Sequence, residues 1–130
     1  MSLCKKPQTI LIVDDEPALL HTMSAVLQRE GYRCISAKHP TEALSICESD
    51  EVIDFVVSDF SMPAMNGLQL WQRIRQVRPD LNVLFVTGNA EACELLHAQG
   101  VAYLSKPFPF AELVWAVRQL LAPIEDELGA

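Results

Sequence analysis

The sequence predicts an α/β fold, a doubly wound parallel sheet with helices on both faces, on three observations. Five short apolar runs recur along the chain, each bounded by Gly, Pro, Asp or Asn. They read as continuously apolar instead of alternating, as strands covered on both faces do. Stretches of helical periodicity fill the gaps, and alternating β and α units imply parallel strands joined by right-handed crossovers.

The first strand falls on Ile10–Val13. Leu19, Met23, Val26, Leu27 and Glu30 then trace a helix, which Gly31 ends as its C′ residue. A second strand over Cys34–Ala37 leads through Pro40 into a helix over Thr41–Cys47. Phe55–Ser58 gives the third strand. Leu70, Trp71, Ile74 and Val77 give the third helix, stopped near Pro79, with Trp71 assigned to the core. The fourth unit is Val83–Thr87 followed by a helix over Glu91–Ala98, closed by Gly100. Ala102–Ser105 is the fifth strand, and Leu113, Val114, Val117, Leu120 and Leu121 mark the last helix. No repeats or low-complexity tracts occur.

A chain of 130 residues, half of them hydrophobic, makes one domain with a real core. The expected bounds are an N-terminal extension over 1–8, the domain over 9–122, and an acidic tail or linker start over 123–130. The net charge of −7 argues against direct binding to nucleic acid or an anionic membrane. Cys4, Cys34, Cys47 and Cys93 show no C-x-x-C spacing, so reduced thiols in a cytoplasmic protein are expected. The apolar run Ile10–Val13 is too short for a signal segment or a membrane span.

Chemistry collects at the strand ends. Asp59 closes the third apolar run and opens the loop Phe60-Ser61-Met62-Pro63-Ala64-Met65-Asn66-Gly67. Asp14-Asp15, Thr87-Gly88 and Lys106-Pro107 hold equivalent positions on three other strands. In open parallel sheets, ligands gather outside the carboxyl ends of the strands. Crowded carboxylates repel, so a bound cation or a proton must relieve them. With no His or Cys beside them the ligands are all oxygen, which selects a hard divalent ion, Mg²⁺ with Mn²⁺ as a substitute. Lys106 can pair with one phosphoryl oxygen and the Thr87 hydroxyl can bond another. Phosphoryl transfer asks for an in-line nucleophile and charge neutralisation, and Asp59 with these neighbours offers both.

At V-D-D-E-P (13–17), D-F-S-M-P-A-M-N-G (59–67), V-T-G (86–88) and Y-L-S-K-P-F (103–108) the chain resembles the receiver (response regulator) domains of bacterial two-component signalling. The likeness runs from about Thr9 to Leu121. It implies a flavodoxin-like (βα)5 three-layer fold with strand order 2-1-3-4-5. By the same resemblance Asp59 is the phosphoacceptor, served by a phosphohistidine on a sensor histidine kinase or histidine phosphotransfer domain. Asp15, Asp59 and the Ser61 backbone carbonyl would ligate Mg²⁺, with Asp14 acting through water. Lys106 would contact the phosphoryl group, Thr87 would move to bond it, and Tyr103 would turn inward behind Thr87. Pro107 would follow a cis peptide bond, and Gly67 would shape the phosphorylation loop. Ser61 and Asn89 lie two residues after Asp59 and Thr87, where side chains tune the phosphoryl lifetime in this family. The protein would be a switch that catalyses its own phosphorylation and dephosphorylation, not an enzyme acting on a metabolite.

Two residues are candidates for partner contact. Leu20, one turn from the acidic pair, would sit at an exposed edge and dock a kinase helix, or else serve the core rim. Trp115 lies off the apolar face of the last helix, in a stripe with Ala111, Arg118 and Ala122, on the face that carries output contacts in the family. The output would be a downstream protein or an attached domain, and the protein a monomer or a weak phosphorylation-dependent dimer. Phe60 and Gly88 resemble receivers of hybrid histidine kinases, so the chain could be a piece of such a protein. His21, His39 and His97 are scattered without ligand spacing. A phosphatase of the haloacid dehalogenase type would need an acid at Ser61, and a flavin site would not open on Asp14-Asp15-Glu16.

Overall fold

Each apolar run becomes a strand of one sheet. In the computed structural model, which describes residues 7–121, the strands β1 (Thr9–Val13), β3 (Phe55–Asp59) and β4 (Val83–Thr87) are buried along their whole length. The edges are β2 (Arg33–Ala37) and β5 (Tyr103–Ser105), each less buried and β5 only three residues long. Between them run α1 (Pro17–Arg29), α2 (Pro40–Glu48), α3 (Gly67–Val77), α4 (Ala90–Ala98) and α5 (Phe110–Leu120). All pairings are parallel and the order is β2-β1-β3-β4-β5, as the resemblance implies.

Alternation along each strand divides the core in two. Leu11, Val13, Val56 and Phe85 face α2, α3 and α4, where Ala43, Cys47, Leu70, Ile74, Ala92 and Leu96 complete one layer. Ile10, Ile12, Val57 and Leu84 face α1 and α5, where Leu20, Met23, Leu27, Leu113 and Val117 complete the other. Each large side chain fully buried in this way contributes about 1.5–3 kcal/mol. The result is a three-layer sandwich.

Local signals set the helix bounds. Pro17 and Pro40 open α1 and α2 at the first helical turn, where a missing N–H costs nothing. Gly31 and Gly100 follow α1 and α4 with φ of +98° and +69°, conformations that glycine adopts without strain. Helix α3 begins three residues before its first periodic Leu because Asn66 and Gln69 form a reciprocal capping box. Arg78, just past α3, donates from Nε to the Cys47 carbonyl and from Nη2 to the Ser49 carbonyl, both at 2.8 Å. It thereby ties the end of α3 to the end of α2.

At the back of the sheet, where strands start, Gln8 and Leu121 border one cleft with Asp54, Val77, Arg78 and Leu81. Most of the expected N-terminal extension, and all of the acidic tail over 123–130, lie outside the described residues. Among the described residues no helix is long and apolar enough to cross a membrane.

Candidate functional site

The parallel register lines up the strand ends: Val13 pairs with Ala37 and Ser58, Asp59 with Val86, and Thr87 with Ser105. The residues that follow therefore emerge at one edge. Asp14 is drawn inward because its N–H donates to the Ala37 carbonyl at 3.1 Å. Its carboxylate is fully buried; Oδ1 accepts from the Glu16 N–H at 2.8 Å, while Oδ2 has no hydrogen-bond partner. Asp15, the next residue, is exposed. Asp59 is buried, and its Oδ1 accepts from the Ser61 N–H at 3.4 Å.

Carboxylate oxygens of Asp14, Asp15 and Asp59 all lie within 4.8 Å of one another. Lys106 Nζ stands 3.5 Å from Asp59 Oδ1 and 3.7 Å from Asp14 Oδ2. One ammonium does not balance this cluster. Burial, and then the neighbouring Asp14 carboxylate, push the Asp59 carboxyl up to about 6, against the opposing pull of Lys106. Burial likewise raises Asp14. Asp14 Oδ2, buried without a hydrogen bond and with only the Lys106 ammonium at 3.7 Å, stands beside two other carboxylates, a placement that is costly unless a proton or a further cation relieves it. The donor set is all oxygen and fits Mg²⁺.

Thr87 and Lys106 meet across the last two strands. The Lys106 N–H donates to the Thr87 carbonyl at 2.8 Å, and the Lys106–Pro107 peptide is cis. Thr87 is buried, with its Oγ1 accepting from the Asn89 N–H at 3.1 Å. Asn89 in turn caps α4, its Oδ1 accepting from the N–H groups of Glu91 and Ala92 at 2.8 and 3.1 Å. Its side chain is thus already engaged. Ser61 is exposed at the mouth of the site.

The loop between β3 and α3 is held by Gly67 for reasons of space. A Cβ there would sit 2.6 Å from Phe85 Cε1 and 2.9 Å from Phe60 Cα. The positive φ of the loop falls instead on Ala64, at 73°.

Leu20 does not sit at an exposed edge. It is 5% exposed and packs with Met23 and Leu27 in the core under α1 and α5. The core-rim alternative holds for it. The apolar surface beside the acids belongs to Leu19, Pro107, Phe108 and Phe110, which line a hollow with Lys106. Two phenylalanines in the prolyl segment 107–110 were the available signal for this hollow. Trp115 is 63% exposed and shares a groove with half-buried Tyr103 and with Leu104, Ala116 and Leu120. Trp71 is half-buried, its ring edge-on to Phe85 and under the Arg75 guanidinium at 5.0 Å. His21, His39 and His97 are exposed, outside the acidic cluster.

Comparison with known proteins converges on this arrangement. A family model described as the response regulator receiver domain matches residues 10–118. The transcriptional regulatory protein GlrR of Escherichia coli (strain K12) is 35% identical over 128 residues, covering 94% of this chain and 29% of that protein. A receiver domain protein (CheY-like) of Methanospirillum hungatei has a solved structure with a TM-score of 0.81 and 30% identity, covering 93% of this chain and 98% of its own. The response regulator protein TrrA of Thermotoga maritima, solved in complex with Mg²⁺-BeF, aligns with a TM-score of 0.78 and 33% identity over 88% of this chain and 99% of its own. The chain spans about half or less of the length of the curated relatives it matches, which include transcriptional regulators and sensor kinases.

Proposed function

The chain belongs to the response regulator receiver family, and from that premise we propose that Asp59 takes up a phosphoryl group from a phosphohistidine of a sensor histidine kinase or histidine phosphotransfer domain. Receiver domains are signalling modules that interact with histidine kinases, not enzymes acting on metabolites. The observation that carries the assignment is the buried Asp59 carboxylate, within reach of Asp14, Asp15 and the Lys106 ammonium.

In the transfer a new bond forms between an Asp59 oxygen and phosphorus as the bond from phosphorus to the histidine nitrogen breaks. Asp59 attacks as the carboxylate, the form that predominates above its raised value of about 6. Asp15, Asp59 and the Ser61 carbonyl would hold Mg²⁺, with Asp14 acting through water, and Mn²⁺ suits the same oxygen set. When bound, the ion neutralises charge on the phosphoryl oxygens. Lys106, already beside Asp59, pairs with one of those oxygens.

Switching follows from Thr87. Its hydroxyl accepts from the Asn89 N–H and is free to donate its own proton to a phosphoryl oxygen. A hydrogen bond to a charged group is worth about 1.5–3 kcal/mol. Converting a population from 1:99 to 99:1 takes about 5.5 kcal/mol. Thr87 therefore needs the Lys106 pair and inward movement of Tyr103 to complete the change. Movement of Tyr103 reshapes the groove it shares with Trp115, which we assign as the surface read by a downstream protein or an attached output domain. Ser61 and Asn89 flank the path of the hydrolytic water and set how long the phosphoryl group persists.

The test is intact-protein mass after incubation with Mg²⁺ and acetyl phosphate, beside Asp59→Asn protein and an EDTA control. One added phosphoryl group, absent from both controls, is the expected result. An adduct on the Asp59→Asn protein would overturn the assignment. So would failure of the folded wild type with both acetyl phosphate and a phosphohistidine donor.

A further inference from the structure

Phe85 is fully buried in β4, two residues before Thr87 and in register with Ser58. Its ring touches the phosphorylation loop at both ends. The Phe60 ring lies edge-on at 5.6 Å, and a methyl group on Gly67 would come within 2.6 Å of Cε1 and 2.9 Å of Cδ1. The Gly67 N–H also donates to the Phe60 carbonyl at 2.6 Å. The loop thus starts and finishes over one ring, with Asp59 just before this closure and Ser61 just inside it.

Interiors packed at crystal density pass displacements on instead of absorbing them. We propose that Phe85 is a positioning residue for the Asp59 site: its ring props the loop from below and fixes where the Asp59 carboxylate and Ser61 carbonyl stand toward a divalent cation. The proposal rests on the reading of Asp59 and Ser61 given above and deepens it. Mg²⁺ demands near-ideal octahedral geometry, so a loop that settles into vacated space loses affinity while the sheet beneath it persists. Supports that orient ligands without touching the ion commonly matter by tenfold or more. The Phe85 ring also packs at right angles to Trp71 of α3, their centroids 6.3 Å apart.

The experiment is calorimetric titration of Mg²⁺ into wild type, Phe85→Leu, Gly67→Ala, the double variant, and Leu96→Ala. Leu96 is buried in the same core layer but belongs to α4, away from the loop. Phe85→Leu and Gly67→Ala should each weaken Mg²⁺ binding about tenfold. In the double variant, loss of Cε1 removes the closest of the three contacts an alanine methyl would make, while those with Cδ1 and the Phe60 Cα remain, so the combined loss should be smaller than the sum of the two single losses. Leu96→Ala should lower the unfolding temperature while leaving Mg²⁺ affinity within about twofold of wild type. Folded Phe85→Leu protein that binds Mg²⁺ as tightly as wild type overturns the proposal, as does a double variant in which the two losses simply add. If wild type itself binds no Mg²⁺, the functional reading falls. The prop is then judged on urea midpoints: a combined loss of stability smaller than the sum of the two single losses supports it, and simple addition overturns it.

Discussion

The backbone N–H of Lys106 donates to the carbonyl of Thr87 at 2.8 Å, so the two side chains assigned to the phosphoryl oxygens hang from one hydrogen-bonded pair of strand ends. Backbone position is shared between them while side-chain chemistry is separate. Lys106 reaches into the carboxylates, whereas the Thr87 hydroxyl turns to the Asn89 N–H.

That separation predicts the behaviour of Thr87→Ala. Removing the hydroxyl leaves the carboxylates and Lys106 in place, so phosphorylation of Asp59 should proceed within about threefold of wild type, less than one hydrogen bond's worth of rate. The structural response should be lost. Intact mass gives the first quantity, and the change in Trp115 fluorescence on phosphorylation gives the second. Parallel loss of both would contradict the division.

Charge crowding predicts an inverted mutational effect at Asp59. Its folded-state value of about 6 exceeds the ordinary 3.8, so the protonated carboxyl favours the fold. That favourable term is fully present below pH 4 and is lost as pH rises through about 6. The difference from the ordinary value corresponds to about 3 kcal/mol at most. Without metal, Asp59→Asn should therefore be more stable than wild type by about 1–3 kcal/mol at pH 7.5 and indistinguishable from it at pH 4. Mg²⁺ should shrink the gap by stabilising wild type alone. Urea denaturation at the two pH values, with and without Mg²⁺, measures all three.

The hollow formed by Leu19, Pro107, Phe108 and Phe110 beside Lys106 predicts a split between donors. A small phosphodonor has no surface to lay there, but a protein carrying phosphohistidine does. Phe108→Ala should slow transfer from a phosphohistidine protein about tenfold, equivalent to about 1.4 kcal/mol. Its rate with acetyl phosphate should not change. Single-turnover transfer with each donor decides the matter.

Arg78 predicts a stability loss without a functional one. Its guanidinium holds the Cys47 and Ser49 carbonyls at the end of α2, far from Asp59. Arg78→Ala should cost about 1–2 kcal/mol in urea unfolding, and Arg78→Lys should recover less than half, because an ammonium cannot present two fixed donors. Acetyl phosphate labelling of the folded variant should match wild type.

Strand positions and the order of the acidic residues were legible because each chemical residue directly follows an apolar run, and parallel register does the rest. Leu20 shows where periodicity misleads. Reading the stripe from Leu19 through Met23 and Val26 placed Leu20 outside it, yet the buried set of α1 is Leu20, Met23 and Leu27. Adjacent leucines offer two helical phases, and only the packed sheet chooses between them. The Phe85 prop and the Arg78 brace were not legible at all. One depends on the register of β3 against β4, and the other joins residues 31 apart in sequence.

Gln8 and Leu121 border the same cleft at the back of the sheet, while Asp59, Thr87 and Lys106 occupy its front. Polypeptide spliced on at either place would depart from the rear, about a strand's length, roughly 17 Å, from the phosphoryl group. The domain can accordingly be inserted into longer proteins like a cassette, its acidic mouth left open to a visiting donor. β4 spans the distance between that rear cleft and the acidic front.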